Sequence, residues 1–230
     1  MPDRDLPELK AVCFDFDGTL TDFVAADLAA LEQVRRLAGV PHSRETFVDM
    51  AVEAILAFHG RVERGEADPL RMHEVRLREV LDTCGVAWHA GYLEAYRTHL
   101  LRACAPLPGA QALLTALRPR FKLALLTNAY DGAEQRARLR HSGLEGYFDV
   151  VVVSGEVGVF KPDPRIFQHT LELLGVTPKQ ALYVGDSPTH DVRGAALAGL
   201  RAVLVGRRTP HPGAWRTVPS LLALAEGWTR

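Results

Sequence analysis

The sequence predicts an α/β fold: an open parallel sheet interrupted by a long helical insertion. Three observations lead there. Five short apolar runs recur along the chain with little polar alternation, as in strands covered on both faces. Helical patterns lie among the later four runs, and strands alternating with helices imply a parallel sheet. Residues 22–105, between the first run and the second, offer no convincing strand and four amphipathic helical stretches.

The elements follow in chain order. Leu9–Phe14 (LKAVCF) is short, apolar and partly β-branched, and it ends in an acidic turn with a glycine, which reads as a buried strand. Helices are expected over Asp27–Leu37, Arg44–His59, Arg71–Thr83 and Trp88–Ala103. Ala105-Pro106-Leu107-Pro108-Gly109 then makes a stiff linker. A helix over Gly109–Leu117 precedes the second strand, Lys122–Leu126, and a helix over Asp131–His141 follows it. Val150–Val153 is the third strand, followed by a helix over Pro164–Leu174. Ala181–Val184 is the fourth, followed by a helix over Pro188–Ala198, and Ala202–Val205 is the fifth. Pro164 and Pro188 suit early helical positions, and Gly175 suits a C-terminal cap.

Composition narrows the class. The chain has 230 residues, 47% hydrophobic and 24% charged, with 27 Lys plus Arg against 28 Asp plus Glu and a net charge of −1. That length buries a proper core without disulfides or metal staples. The near-zero charge argues against a nucleic-acid partner held by bulk electrostatics. No apolar run reaches the roughly 18 residues of a membrane span, and the polar MPDRDLPELK start does not read as a secretory signal. Cys13, Cys84 and Cys104 are scattered and form no CxxC pair. A reducing, cytoplasmic setting fits.

Four chemical features sit just after four successive strands. Asp15-Phe16-Asp17-Gly18-Thr19 follows the first. Residues two apart on an extended chain share a face, so Asp15 and Asp17 project together beyond the carboxyl end of the strand, where open α/β sheets bind ligands. Thr127-Asn128 follows the second strand and offers a hydroxyl and a backbone N–H to an oxyanion. Lys161, in Phe160-Lys161-Pro162-Asp163-Pro164, follows the third, on a loop stiffened by two prolines. Gly185-Asp186-Ser187-Pro188-Thr189-His190-Asp191 follows the fourth and adds two carboxylates.

Asp15, Asp186 and Asp191 would repel one another unless a cation joined them. A hard divalent ion suits oxygen ligands, and Mg²⁺ fits best because it keeps several waters and needs few carboxylates. Lys161 adds one positive charge, so a phosphate dianion can be accommodated between Mg²⁺ and Lys161. A carboxylate can attack phosphorus directly. Asp17 can then protonate the leaving oxygen and later deprotonate the hydrolytic water.

These residues resemble the haloacid dehalogenase-like (HAD) superfamily, in its phosphatase branch with a helical cap. The match comprises DFDGTLTD at Asp15–Asp22, LLTN at Leu125–Asn128, KPDPRIF at Lys161–Phe167 and GDSPTHD at Gly185–Asp191, in the family's order and spacing. The resemblance implies a Rossmann-like three-layer sandwich with a five-stranded parallel sheet of order 5-4-1-2-3. Residues 1–21 and 106–230 would form the catalytic core, and residues 22–105 a cap that closes over the site and selects the leaving group. It implies Asp15 as nucleophile and Asp17 as general acid/base. Mg²⁺ would be held by Asp15, the Asp17 backbone carbonyl and Asp186, with Asp191 nearby or bridged by water. Thr127, Asn128 and Lys161 would hold the phosphate.

Single residues discriminate within the family. The dehalogenases lack an acid/base Asp two residues after the nucleophile, and this chain has Asp17. The phosphonatases use a cap Lys, and residues 22–105 contain none. The expected function is Mg²⁺-dependent removal of phosphate from a small phosphorylated metabolite through an aspartyl-phosphate intermediate. A sugar-phosphate mutase and a non-catalytic binding protein of the same family are the alternatives. A phospho-accepting receiver module is disfavoured, because its Asp follows a third strand rather than a first. In the insertion, Trp88, Tyr92, Tyr96 and His99 read as core packing, and Arg35, Arg36, Arg76 and Arg78 as mostly solvated. His190 gains no catalytic role from its position alone.

Overall fold

The computed structural model describes residues 8–228. The strands are β1 (Ala11–Phe14), β2 (Lys122–Thr127), β3 (Val150–Val153), β4 (Ala181–Gly185), β5 (Arg201–Val205) and β6 (Arg216–Val218). They form one parallel sheet of order β3-β2-β1-β4-β5-β6. The five expected strands lie in the expected order. The sheet has six strands rather than five, because the short Arg-Thr-Val segment pairs with β5 at the edge, Val203 opposite Arg216. Three residues without an apolar run carry no strand signal of their own.

The helices are α1 (Phe23–Leu37), α2 (Arg44–Glu63), α3 (Met72–Thr83), α4 (Ala90–Arg102), α5 (Ala110–Leu117), α6 (Gly132–His141), α7 (Ser154–Val157), α8 (Pro164–Leu174), α9 (Arg193–Leu197) and α10 (Leu221–Trp228). The ends of α8 show how local sequence sets them. The Asp163 side chain accepts from Arg165 N, Pro164 takes the first turn where its missing N–H costs nothing, and Gly175 caps the C-terminus at φ 67°. The helix expected over Pro188–Ala198 is divided instead: a π-helical turn at Pro188–Val192 runs into α9. The wider turn places Asp191 inward, at 1% exposure.

Both faces of the sheet are covered. Ala11, Cys13, Leu126, Val152, Tyr183 and Leu204 pack with Ile166, Phe167 and Leu171 of α8. Val12 and Phe14, equally buried, point to the other face by the alternation of the pleat. Burial accounts for Cys13, whose thiol it pushes up to about 12. Near the other end of the chain α10 packs on α5, and Phe121 meets Trp228 edge-on at 5.3 Å.

Residues 23–104 cluster as a second compact unit. Its own core joins Leu31 and Val34 of α1, Phe47 of α2, Leu77 and Leu81 of α3, and Tyr96 and Leu100 of α4. Arg76, expected on a solvated face, is buried and forks onto Asp27 at 2.8 and 3.0 Å. The Tyr96 hydroxyl donates to the same carboxylate. A guanidinium can lie this deep because a carboxylate, the Ala51 carbonyl and the Tyr96 hydroxyl surround it. Among the described residues no helix is long and apolar enough to cross a membrane.

Candidate active site

The chain leaves β1 toward β2 and β3 on one side, then crosses to β4 and β5 on the other. The crevice at that reversal is where open α/β sheets bind ligands. Asp15 stands at its mouth and continues the ladder, its N–H donating to the Val184 carbonyl at 2.9 Å. Asp186 and Asp191 come from beyond β4. One oxygen each of Asp15, Asp186 and Asp191 lies within 4.8 Å of the others.

Two glycines make this approach possible. Gly18 turns the chain at φ 88°, and a Cβ there would lie 2.6 Å from Asp186 Oδ2. A Cβ at Gly185 would lie 2.4 Å from Asp191 Cγ. Thr19 Oγ1 donates to Asp186 Oδ1 at 3.2 Å, and Ser187 N donates to Asp191 Oδ2 at 2.9 Å.

Lys161 Nζ lies among these carboxylates. It donates to Asp15 Oδ1 at 2.7 Å, to Asp191 Oδ1 at 2.7 Å and to the Tyr183 hydroxyl at 2.9 Å. Those three bonds use all three ammonium hydrogens. Burial alone would drive the ammonium to lose its proton, but Asp15 and Asp191 outweigh that and raise its pKa above the ordinary value. Burial pushes the Asp15 carboxyl up to about 8, with Lys161 pulling it down and Asp191 adding to the rise. Asp186 is raised by burial and by Asp191.

The charges imply a partner. With all three carboxylates ionised, their charge would exceed that of the Lys161 ammonium by two in a largely buried space, and burial resists that by raising Asp15 and Asp186. An all-oxygen donor set with two uncompensated negative charges fits a hard divalent cation.

The remaining expected residues are placed as follows. Thr127 ends β2 and is fully buried. The Asn128 side chain braces the next loop: its Oδ1 accepts from Lys161 N at 2.9 Å and its Nδ2 donates to the Lys161 carbonyl at 3.0 Å. The Lys161–Pro162 peptide is cis. The Asp17 carboxylate faces Arg138 and Gln135 of α6 rather than the Lys161 cluster. His190 is exposed and lies 3.2 Å from Ser187 Oγ, within its own turn.

Four participants escaped the sequence reading. Thr19 sat unremarked within its motif. Tyr183 had a signal, since a hydroxyl in the middle of a buried apolar strand demands a partner. Gln135 and Arg138, one helical turn apart, had only their shared face to recommend them.

Comparison with known proteins places the chain in a family. The haloacid dehalogenase-like hydrolase family matches residues 9–199. The phosphoserine phosphatase of Thermus thermophilus is 36% identical over 86% of this chain and 89% of its own. A pyrimidine 5′-nucleotidase of Escherichia coli is 43% identical over 46% of this chain and 48% of its own. Among solved structures, the YfnB protein of Bacillus subtilis, bound to magnesium, superimposes with a TM-score of 0.79 at 25% identity, covering 96% of this chain and 99% of its own.

Proposed function

The chain belongs to the haloacid dehalogenase-like hydrolase family, and we propose that it is a Mg²⁺-dependent phosphatase of small phosphorylated metabolites working through an aspartyl-phosphate intermediate. The observation that carries this reading is the meeting of Asp15, Asp186, Asp191 and Lys161 at the sheet's reversal, with Asp17 two residues from the nucleophile. The similarity to a phosphoserine phosphatase and a pyrimidine 5′-nucleotidase supports the same class. Asp17, absent from the dehalogenase pattern, supports phosphoryl transfer over dehalogenation.

Asp15, Asp186 and the Asp17 backbone carbonyl would hold Mg²⁺, with Asp191 alongside. The ion would neutralise charge between nucleophile and substrate and polarise the phosphoryl oxygens. An Asp15 carboxylate oxygen attacks phosphorus, and the bond to the leaving oxygen breaks. Asp17 gives that oxygen a proton. Asp17 then takes a proton from water as the water attacks the phosphorus, the bond to Asp15 breaks, and inorganic phosphate leaves. Lys161 holds Asp15 on a fixed rotamer, and it exchanges one of its three bonds to reach a phosphoryl oxygen. Thr127 Oγ1 and the Asn128 backbone N–H bind the others, the Asn128 side chain being spent on the Lys161 loop.

Residues 22–105 serve as the cap in this reading, and residues 1–21 and 106–230 as the catalytic core. Neither a nucleic acid nor a membrane takes part. The three free cysteines suit a cytoplasmic setting. Phosphate release from a panel of phosphate monoesters, phosphoserine and pyrimidine nucleotides first, tests the proposal. Mg²⁺-dependent release that Asp15→Asn abolishes is the expected result. A sugar phosphate isomerised without release of phosphate would turn the reading to a mutase, and inertness toward the whole panel would overturn catalysis by this site.

A further inference from the structure

The Asp17 carboxylate accepts a dense set of bonds from one helix. Arg138 Nη2 donates to Oδ1 at 2.5 Å and Nη1 to Oδ2 at 3.0 Å. Gln135 Nε2 adds a bond to Oδ2 at 2.8 Å. Both side chains come from the same face of α6, and each residue is 3% exposed. Arg138 also lies over the Phe16 ring, 5.6 Å from its centroid.

Donor chemistry fixes the orientation of the Gln135 amide. Arg138 can only donate, so Gln135 turns Oε1 toward Nη1, at 2.9 Å. Asp17 Oδ2 already accepts from Arg138, and with Oε1 turned to Nη1 it is Nε2 that faces the carboxyl. The same Nε2 lies 2.8 Å from Thr127 Oγ1. The hydroxyl must accept that bond, which leaves its single hydrogen for a different acceptor. One amide thus links the acid/base carboxylate to the hydroxyl at the end of β2 and sets the direction of both.

We propose that Gln135 and Arg138 are positioning residues for the reaction: they hold the Asp17 carboxyl on one rotamer beside Thr127 and leave the Thr127 hydroxyl hydrogen aimed at the phosphoryl group. The inference rests on the phosphatase reading above. Of the two bonds to Oδ2, the longer one from Arg138 can open while the Gln135 bond still holds the carboxyl. As Oδ2 takes up a proton on substrate binding the Arg138 bond is the one that gives way, so Asp17 keeps its place while it passes that proton to the leaving oxygen.

A merely structural ion pair would slow every substrate alike, whereas a positioned acid matters most for a leaving group that needs a proton. The test compares kcat/KM, with Mg²⁺, for phenyl phosphate and 2,4-dinitrophenyl phosphate. The phenoxide of the first requires protonation and the dinitrophenolate of the second does not. Arg138→Met and Gln135→Met should each lower kcat/KM for phenyl phosphate by about 10–100-fold, less than the roughly 10²–10⁴-fold of a general acid because the acid itself is kept. For the dinitrophenyl ester the loss for Arg138→Met should stay under about threefold on the same argument, and Gln135→Met, which also frees the Thr127 hydroxyl, should lose clearly less there than on phenyl phosphate. Arg138→Lys, which keeps one donor, should recover part of the phenyl phosphate rate. Gln135→Met should also weaken inhibition by inorganic phosphate, through the freed Thr127 hydroxyl.

Asp17→Asn serves as the reference for loss of the acid. If the wild type hydrolyses neither these esters nor any of the metabolite panel, the phosphatase reading falls and this inference with it; if it takes metabolites alone, loss in the variants of the acid limb that Asp17→Asn removes from the pH profile of kcat/KM decides in its place. If Asp17→Asn shows the leaving-group signature and the Gln135 and Arg138 variants do not, only this inference falls. Equal losses on both esters, together with a lowered melting temperature, would make the pair a structural brace and overturn it. Should Arg138→Met fail to fold, Arg138→Lys and Gln135→Met decide the question on the same ratio.

Discussion

Replacing Gly18 by alanine should damage both stability and metal binding, and the structure separates the two effects. Gly18 sits at φ 88°, where an L side chain costs about 1–2 kcal/mol. The new Cβ would also lie 2.6 Å from Asp186 Oδ2 and 2.9 Å from its Cγ, so the carboxylate must move. Moving it sacrifices the 3.2 Å bond from Thr19, about 1 kcal/mol. The sum is about 2–3 kcal/mol, or about 5–10 °C in melting temperature for a chain of this size. Gly143 is the control, since it has φ 73° and no atom within 4 Å of the place a methyl group would occupy. Gly143→Ala should lose about 1–2 kcal/mol from the backbone alone and bind Mg²⁺ as the wild type does. Gly18→Ala should bind Mg²⁺ about 10–100-fold more weakly, as when the support of a ligand is lost. Calorimetric melting and Mg²⁺ titration of the two variants make the comparison. If they match in melting temperature and in Mg²⁺ affinity, Asp186 is not held against Gly18 as a ligand and the reasoning fails.

Two further outcomes can be checked. Burial raises Asp15 from its ordinary 3.8 to about 8 in the metal-free site, against the pull of Lys161. Stability from such a raised carboxyl is fully present below about 4 and is lost as pH rises through about 8. Bound Mg²⁺ must displace that proton, so its affinity should climb about tenfold per pH unit up to about 8 and then level off. A Mg²⁺-induced rise in melting temperature that shrinks between pH 6 and pH 8 would contradict this. In the helical unit, Arg76→Ala leaves the partly buried Asp27 beside Tyr96 without its cation. With Asp27 15% exposed, the cost should be about 2–4 kcal/mol, somewhat below that of breaking a fully buried pair. Hydrogen exchange should accelerate chiefly within residues 23–104, and uniform acceleration over the whole chain would refute a local role.

The legible parts of the fold were those with short-range signals. Val150–Val153 and Pro164–Leu174 were read to the residue, one from a pure β-branched run and the other from Asp163, Pro164 and Gly175 at its ends. Strand β6 lacked such a signal, because its pairing with β5 makes it a strand. The π-helical turn at Pro188–Val192 was invisible for a related reason. Its composition suits an ordinary helix, and it takes the wider turn where Asp191 reaches Lys161. In the site, Asp15, Asp186, Asp191 and Lys161 were expected at one place and the structure brings them together, whereas the Asn128 side chain turned out to brace a loop.

The amino-acid order by itself determined the class of fold and the inventory of reacting groups. Apolar runs, helix caps and the carboxylates after each strand are written in windows of a few residues, where local geometry dictates the outcome. Tertiary structure alone decided which groups touch. Lys161 meets Asp15 across 146 positions of chain and Gln135 meets Asp17 across 118. Contacts at that separation depend on strand order, register and side-chain rotamer together. They are settled when the sheet assembles, because only then do buried donors and acceptors find the partners that burial obliges them to have.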